Sequence, residues 1–212
     1  MPRRFLFFAT DNFYHIFNRS NYRRPILTKK KDLEIFLSIM TYYLQVSPPI
    51  KFSYYRINPN KYTLDNTRLV TILSYCLMPT HFHLTLRQEK ERGIQIYMQR
   101  VLNSFSHYYR RKNQESGPLF ESSFKGVHIE TDEQLIHLSR YHHLNPVTSY
   151  MVDDPKDYIY SSYNDYLKGK SQIVDPSYVL SNFSSSKQYA KFVLDQKEYQ
   201  RELERIKHLI FA

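Results

Sequence analysis

The sequence predicts an α+β fold in which an antiparallel sheet carries packed helices. Short runs alternate with period two, longer runs recur at helical spacing, and along the chain they read β-α-β(β)-β-α-β-α. Phe13 to Asn18 is the first strand-like run, ending in the basic loop Arg19-Ser-Asn-Tyr-Arg-Arg24. Thr28 is placed to cap a helix across Lys31 to Gln45, where Leu33, Phe36, Leu37, Met40 and Leu44 recur at helical spacing. Pro48-Pro49 stops that helix. Phe52 to Ile57 alternates as a strand does, and Asn58-Pro-Asn60 marks a turn. Leu69 to Met78 is nearly continuous apolar sequence rich in β formers, the pattern of a buried strand. Beyond Pro79-Thr80, His81 to Arg87 alternates again. Gly93 to Lys112 is a long helix, with Ile96, Met98 to Leu102, Phe105 and Tyr109 partly on one face. Gly117-Pro118 opens a loop before a last strand, Phe124 to Glu130. Thr131-Asp-Glu-Gln134 is a capping box, so a helix starts there and runs to about Leu144, where Pro146 restrains it.

This order is that of ferredoxin-like folds, with the helices expected on one face of the sheet. We divide the chain at residue 150: a first unit over 1–150 and a C-terminal extension, partly helical, over 151–212. The extension is richer in Tyr, Ser, Asp and Lys, and Lys187 to Ile210 reads as one charged helix.

Two bulk properties point to a partner. The chain carries a net charge of +10 and contains 20 Tyr and 14 Phe. Basic surfaces draw in polyanions, and aromatic faces are platforms for unpaired bases. A basic, soluble protein with no such partner has the same composition, so these features need a site beside them. The single Cys76 excludes a disulfide framework and a cysteine zinc site, and suits a reducing cytoplasm. No run reaches the roughly 20 apolar residues of a membrane span. The patch Met1-Pro-Arg-Arg with Phe5-Leu-Phe-Phe8 is too short for a signal peptide's apolar core. With only 4 Gly, a phosphate-cradling loop is not expected either.

The chemistry concentrates in two places. His81-Phe82-His83 sits in a strand, where positions i and i+2 share a face and two imidazoles about 7 Å apart at Cα can converge on one ion. Imidazole suits Mn, Fe, Ni or Zn, and Mg less readily. With 9 His in the chain the pair also arises by chance. Tyr141 and Asn145 lie four apart on the last helix, with His137 one turn before them. A phenol is a weak nucleophile near its reference pKa of about 10, so its attack needs a polarising metal or a neighbouring base. Asn145 offers a hard carbonyl oxygen beside the two imidazoles. Tyr109 is the alternative nucleophile, while His107 and His128 read as structural and at most one of His142 and His143 is expected near the site. Phosphate contacts are expected, from charge, at Arg19, Arg23, Arg24, Arg100, Arg110, Arg111, Lys112 and Lys125.

Taken together, four strings resemble a known family. Tyr14-His-Ile-Phe-Asn-Arg19, Tyr75-Cys-Leu-Met-Pro-Thr-His-Phe-His83, Leu119-Phe-Glu-Ser-Ser-Phe-Lys125 and Leu138-Ser-Arg-Tyr-His-His-Leu-Asn-Pro-Val147 stand in the order seen in HUH-type single-tyrosine transposases, most nearly the REP-associated branch. Tyr158-Ile-Tyr-Ser-Ser-Tyr163 resembles a further short motif of that branch, with Tyr160 in place of Trp. Thr80 stands where the family usually has Asn. The resemblance implies an HUH endonuclease fold with Mg2+ or Mn2+ bound by His81, His83 and Asn145. It further implies attack of Tyr141 on a DNA phosphate, leaving a 5′-phosphotyrosine and a free 3′-hydroxyl. The substrates implied are single-stranded or hairpin DNA, handled by a monomer or a homodimer in the cytoplasm. Two other readings stay open: a catalytically silent nucleic-acid-binding protein of the same fold, and a nuclease that activates water with Tyr141 only packing.

Overall fold

The computed structural model describes residues 7–201. Its centre is a four-stranded sheet of β1 (Phe13–Arg19), β2 (Val70–Leu77), β3 (His81–Gln88) and β4 (Lys125–Ile129). The strand order is β2-β3-β1-β4 and every pairing is antiparallel. Four long or short helices precede the tail: α1 (Lys30–Tyr42), α2 (Phe52–Tyr55), α3 (Gly93–Asn113) and α4 (Asp132–Thr148). The fold is α+β, with the β-α-β-β-α-β succession that the periodicities indicate.

Directly opposed residues of antiparallel strands point to one side. Tyr14, Ile16 and Asn18 of β1 therefore share a face with their partners Leu86, Leu84 and Phe82 of β3. That face packs on α1 and α3: the Phe36 ring lies 5.3 Å from Phe82 and 4.8 Å from Phe105. The Tyr97 hydroxyl donates to the Met40 carbonyl at 3.2 Å and ties the two helices together. The opposite face carries His15, Phe17 and Arg19 against Thr85, His83 and His81, and there α4 lies across it. Helices thus cover both faces, where the element order alone suggested one.

Three other local expectations are corrected. Phe52 to Ile57 is not a strand: Phe52–Tyr55 forms a helical turn. Phe52 and Tyr55, three apart, both pack on the Tyr42 ring, at 5.6 and 4.4 Å, which a strand's alternation would forbid. Thr28 does not cap α1, whose N-cap is Lys29 without a side-chain hydrogen bond. And α4 does not stop at Leu144 but runs through Pro146 to Thr148. Proline forfeits one helical bond, tolerable so near the end of the helix. The Ser149 N–H still bonds the Asn145 carbonyl at 3.1 Å, and the Met151 N–H that of Pro146 at 2.9 Å. The start of α4 is as read: Thr131 Oγ1 accepts from the Gln134 N–H, while Gln134 Oε1 accepts from the Glu130 N–H.

Residues 151–201 fold back on this body. Short helices α5 (Tyr163–Lys168), α6 (Ser177–Leu180) and α7 (Ser186–Leu194) bring Tyr166 and Tyr189 into the main core. The same segment bonds the outer edge of β2 through the Leu77 N–H to the Tyr160 carbonyl and the Ser162 N–H to that of Tyr75, at 3.0 Å each. A sheet edge that would otherwise be open is thereby paired. The single helix expected over Lys187 to Ile210 is interrupted after Leu194, where its buried stripe of Tyr189 and Val193 ends; its remainder past residue 201 lies outside the described residues. Among the described residues no helix is long and apolar enough to cross a membrane.

The start of α3 is the tightest packing point. A Cβ on Gly93 would stand 2.3 Å from the Leu69 carbonyl oxygen, closer than such atoms approach. Gly93→Ala is therefore expected to destabilise the fold by about 1–3 kcal/mol, the usual penalty of overpacking, read as a lower urea midpoint at unchanged slope.

Candidate active site

The sheet face under α4 is polar where the other is apolar. His81 and His83, two apart on β3, point the same way, and the β1–β3 register sets Arg19 opposite His81 and Phe17 opposite His83. α4 then brings Tyr141, whose ring is 5.5 Å from that of His83. One pocket of about 320 Å3 is lined by Arg19, His81, His83, Lys125, Tyr141 and Asn145, with Glu121 as its acidic residue. Because α4 stays helical through Pro146, Tyr141 and Asn145 share a face and both reach the pocket. Of the chain's tyrosines, Tyr97, Tyr166 and Tyr189 are wholly buried, but Tyr141 is 40% exposed.

Each strand histidine is held through its Nδ1. His81 Nδ1 and Thr80 Oγ1 are 3.0 Å apart, and His83 Nδ1 meets His15 Nε2 at 3.0 Å. A ligating imidazole usually engages its second nitrogen in just this way, which makes the Nε2 of each ring the candidate metal donor. His83 is nearly buried, and desolvation, aided by His81, His15 and Arg19, holds its pKa well below the usual histidine range. Burial also lowers His15, to about 4. Both rings are neutral at pH 7, as metal binding requires.

The sequence did not point to His15, and it expected at most one of His142 and His143 near the site; His142 is that one. One ligand nitrogen from each of His15, His83 and His142 falls within 4.8 Å of the others, a second arrangement able to hold an ion. His142 is fully buried, mainly by desolvation far below its ordinary pKa, and Ser74 Oγ, 2.9 Å from its Nδ1, passes its own proton to Thr85. Its Nε2 meets no hydrogen-bond partner among the described residues. His15 had a signal: it belongs to the alternating set His15, Phe17, Arg19 of β1, which faces the same way as the His81 and His83 pair once the two strands are neighbours. His142 had none beyond its place next to Tyr141.

The remaining expected residues are scattered. The Asn18 amide donates to the Ser122 and Ser123 carbonyls, at 2.9 and 3.0 Å, and fixes the loop that leads to Lys125. Arg24 pairs with Glu115 at 3.0 Å. Arg100 donates to the Gln45 and Val46 carbonyls, Arg110 to those of Ser106 and Gly117, and Lys112 pairs with the buried Asp32. Asn18 lines the pocket, but none of these four basic residues, nor Arg23 or Arg111, does. His137 bonds Arg140 on the outer side of α4, Tyr109 packs by Phe105, and His128 meets Asn12 Oδ1 at 3.0 Å.

No protein-family model and no curated protein matches the sequence. Among solved structures the chain is similar to a REP-associated tyrosine transposase bound to a REP hairpin, with a TM-score of 0.53 and 13% identity over 79% of this chain and 86% of that one. It also overlays a Deinococcus radiodurans R1 protein assigned as a transposase, with a TM-score of 0.37 and 12% identity over 66% of this chain and 93% of that one. At such identities the likeness is one of fold: the first confirms the four-stranded sheet with its helices, and the second is too loose to inform the site.

Behind Tyr141, His143 holds α4 to the tail. Its Nε2 is 2.8 Å from Ser162 Oγ and its Nδ1 2.7 Å from the Tyr189 hydroxyl. Burial lowers its pKa from 6.5 to about 3. The unfolded chain therefore binds a proton that the folded one refuses between these values, so this contribution to stability is complete above pH 6.5 and is lost as pH falls toward 3. His143→Phe is expected to cost about 1–3 kcal/mol at pH 7.5, through the hydroxyls left unpaired, yet to lose less stability than the parent on acidification. Denaturant midpoints from pH 7.5 to 4 check this; parallel profiles would contradict it.

Proposed function

We propose that the protein is a metal-dependent endonuclease and strand transferase, a transposase in chemistry, that cuts single-stranded or hairpin DNA through a 5′-phosphotyrosine at Tyr141. The observation that carries this reading is the convergence of Arg19, His81, His83, Lys125, Tyr141 and Asn145 on one pocket. The fold likeness to a transposase bound to a REP hairpin supports the substrate class. The strings that resemble the HUH family supply four of those six residues in matching roles.

Mg2+ or Mn2+ fits the outer donor set, two imidazole Nε2 atoms and the Asn145 carbonyl oxygen, with Mn2+ the better match to imidazole. The inner trio shares His83, so the two arrangements exclude each other. We place the ion in the outer one because it opens on the pocket a phosphate can enter, whereas His142 is fully buried. When bound, the ion polarises the scissile phosphate and offsets its growing negative charge. For His83 to ligate through Nε2 its proton must sit on Nδ1, which then donates to His15 Nε2; His15 is the group that holds this tautomer.

Arg19 and Lys125, both exposed at the pocket, hold the phosphate from the adjacent strands β1 and β4. The Tyr141 phenol oxygen attacks phosphorus and gives its proton to solvent, which reaches the side chain. The bond from phosphorus to the 3′-oxygen breaks, and that oxygen takes up a proton to become the free 3′-hydroxyl. The new Tyr–O–P ester preserves the bond's free energy. A 3′-hydroxyl can therefore attack it in reverse and rejoin strands with no external energy source. All the groups come from one chain, so a monomer suffices, acting in the cytoplasm where the DNA is.

The test is a panel of 3′-labelled hairpin and linear oligonucleotides with Mn2+ or Mg2+, resolved on denaturing gels. A covalent protein–DNA band is expected that needs the metal and falls by about 10³-fold or more, the scale of losing a nucleophile, in Tyr141→Phe and in His81→Ala. Undiminished cleavage in Tyr141→Phe would transfer the nucleophile to water or Tyr109. Binding without cleavage across the panel would favour the silent binding protein. Mixing the two inactive variants should restore nothing; recovered activity would show a site shared between two chains.

A further inference from the structure

On the sheet face opposite Tyr141, α2 and α3 enclose a second cavity, a groove of about 990 Å3. Its floor is Phe52 and Tyr108, and its walls carry Lys51, Arg56, Arg111 and Tyr54. No acidic side chain lines it. The carboxylate nearest to it in contact terms, Asp32, is already satisfied, accepting from the Tyr108 hydroxyl at 2.8 Å and pairing with Lys112. Arg100, at the rim, is held by the Gln45 and Val46 carbonyls. Lys51, Arg56 and Arg111, by contrast, form no ion pair with any carboxylate among the described residues, and all three are exposed.

Uncompensated cations gathered round a concavity repel one another and raise the local concentration of anions. The anion that fits carries several charges, since Lys51 and Arg56 flank the groove at the two ends of α2 and Arg111 faces it from α3. It must also present flat apolar faces. Tyr54 is 59% exposed at the lip, and Tyr108 already carries Arg56 over its ring at 5.9 Å, the arrangement in which a cation and an aromatic plane offer one surface. Duplex DNA hides its base faces; a single strand exposes them, and basic grooves with aromatic platforms bind it through phosphates and stacking together.

We propose that this groove binds a stretch of single-stranded DNA, with an unpaired base stacked on Tyr54 and phosphates paired with Lys51, Arg56 and Arg111. A surface depression shares His107 and Arg111 with the groove and runs past Arg110 and Glu115, the latter paired with Arg24, to Ser116 and Gly117. The chain just beyond, at Leu119 and Glu121, bonds the backbone of Asn21 and Arg19 at the mouth of the Tyr141 pocket. The strand that flanks the cleavage point thus has a path round the edge of the sheet into the groove. That the ligand is DNA rests on the function proposed above; the preference for unpaired nucleotides rests on the groove alone.

The test measures binding in the Tyr141→Phe protein, so that no chemistry enters, by fluorescence anisotropy of a labelled oligothymidine. Lys51→Ala/Arg111→Ala is expected to weaken binding about tenfold and to lower the slope of log K against log salt by about 1.4, that is about 0.7 for each of two phosphate contacts. Tyr54→Ala should weaken it about fivefold or more and leave binding of an abasic oligonucleotide of equal length unchanged. Parent-like affinity in both variants would overturn the groove as a site, as would an equal loss on abasic DNA for the stacking role of Tyr54. RNA of the same length bound more tightly, with the losses falling on RNA, would overturn the assignment to DNA. A protein that never forms the covalent adduct but loses oligothymidine in these variants would keep the groove and sink the tyrosine chemistry; normal cleavage with unaltered binding would do the reverse.

Discussion

The register between β1 and β3 is the constraint on which both the core and the site depend. It sets His15, Phe17 and Arg19 against Thr85, His83 and His81 on one face, and Tyr14, Ile16 and Asn18 against Leu86, Leu84 and Phe82 on the other. Because side chains alternate, a slip of one residue would exchange the two faces. The imidazoles would then meet Phe36 and Phe105 without hydrogen-bond partners, and Phe82 and Leu84 would face the pocket. Desolvation penalises that arrangement on both sides at once. The polar site is therefore positioned by the same alternation that builds the apolar core, without separate scaffolding.

α4 reads that face with three consecutive residues. Successive positions on a helix are about 100° apart, so Tyr141, His142 and His143 point in three directions. Tyr141 looks into the pocket, His142 down to Ser74 on the sheet, and His143 across to Ser162 and Tyr189 in the tail. Two buried, hydrogen-bonded imidazoles on either flank leave the phenol between them little freedom to rotate about the helix axis. A polar contact is more directional than an apolar one, which suits the role proposed for Tyr141, holding one oxygen in line with a phosphate.

What the sequence disclosed and what it withheld follow the same division. Strands β1 to β4 and the pair His81 and His83 were legible because alternation is local. So were Tyr141 and Asn145, whose shared helical stripe needs only a spacing of four. Phe52–Tyr55 was misread as a strand because its turn is decided by Tyr42, ten residues upstream. The passage of α4 through Pro146 was misread because proline forfeits a single helical bond and the Ser149 and Met151 N–H groups continue the turn after it. His15 and His142 enter the site only through strand pairing and helix docking, which no single segment encodes. The basic residues illustrate the limit best: Arg100, Arg110 and Lys112 look available in sequence, but carbonyls and the buried Asp32 consume them, while Lys51 and Arg56, unremarkable in sequence, are left over.

This distribution of charge bears on how such an enzyme could turn over. The pocket holds Arg19 and Lys125 against Glu121, a small positive surplus for a site proposed to grip a polyanion. A pocket that gripped more strongly would hold substrate and product alike and would stall at the step where the rejoined strand leaves. Contacts remote from the reacting phosphate can supply affinity instead, and part of that affinity can be used to orient the strand for attack. Among the described residues, basic side chains accordingly tie down helices, complete the pocket sparingly and line a groove on the far side of the sheet. On the two proposals together, separating the gripping surface from the cutting surface would let the weak pocket exchange strands while the DNA stays bound.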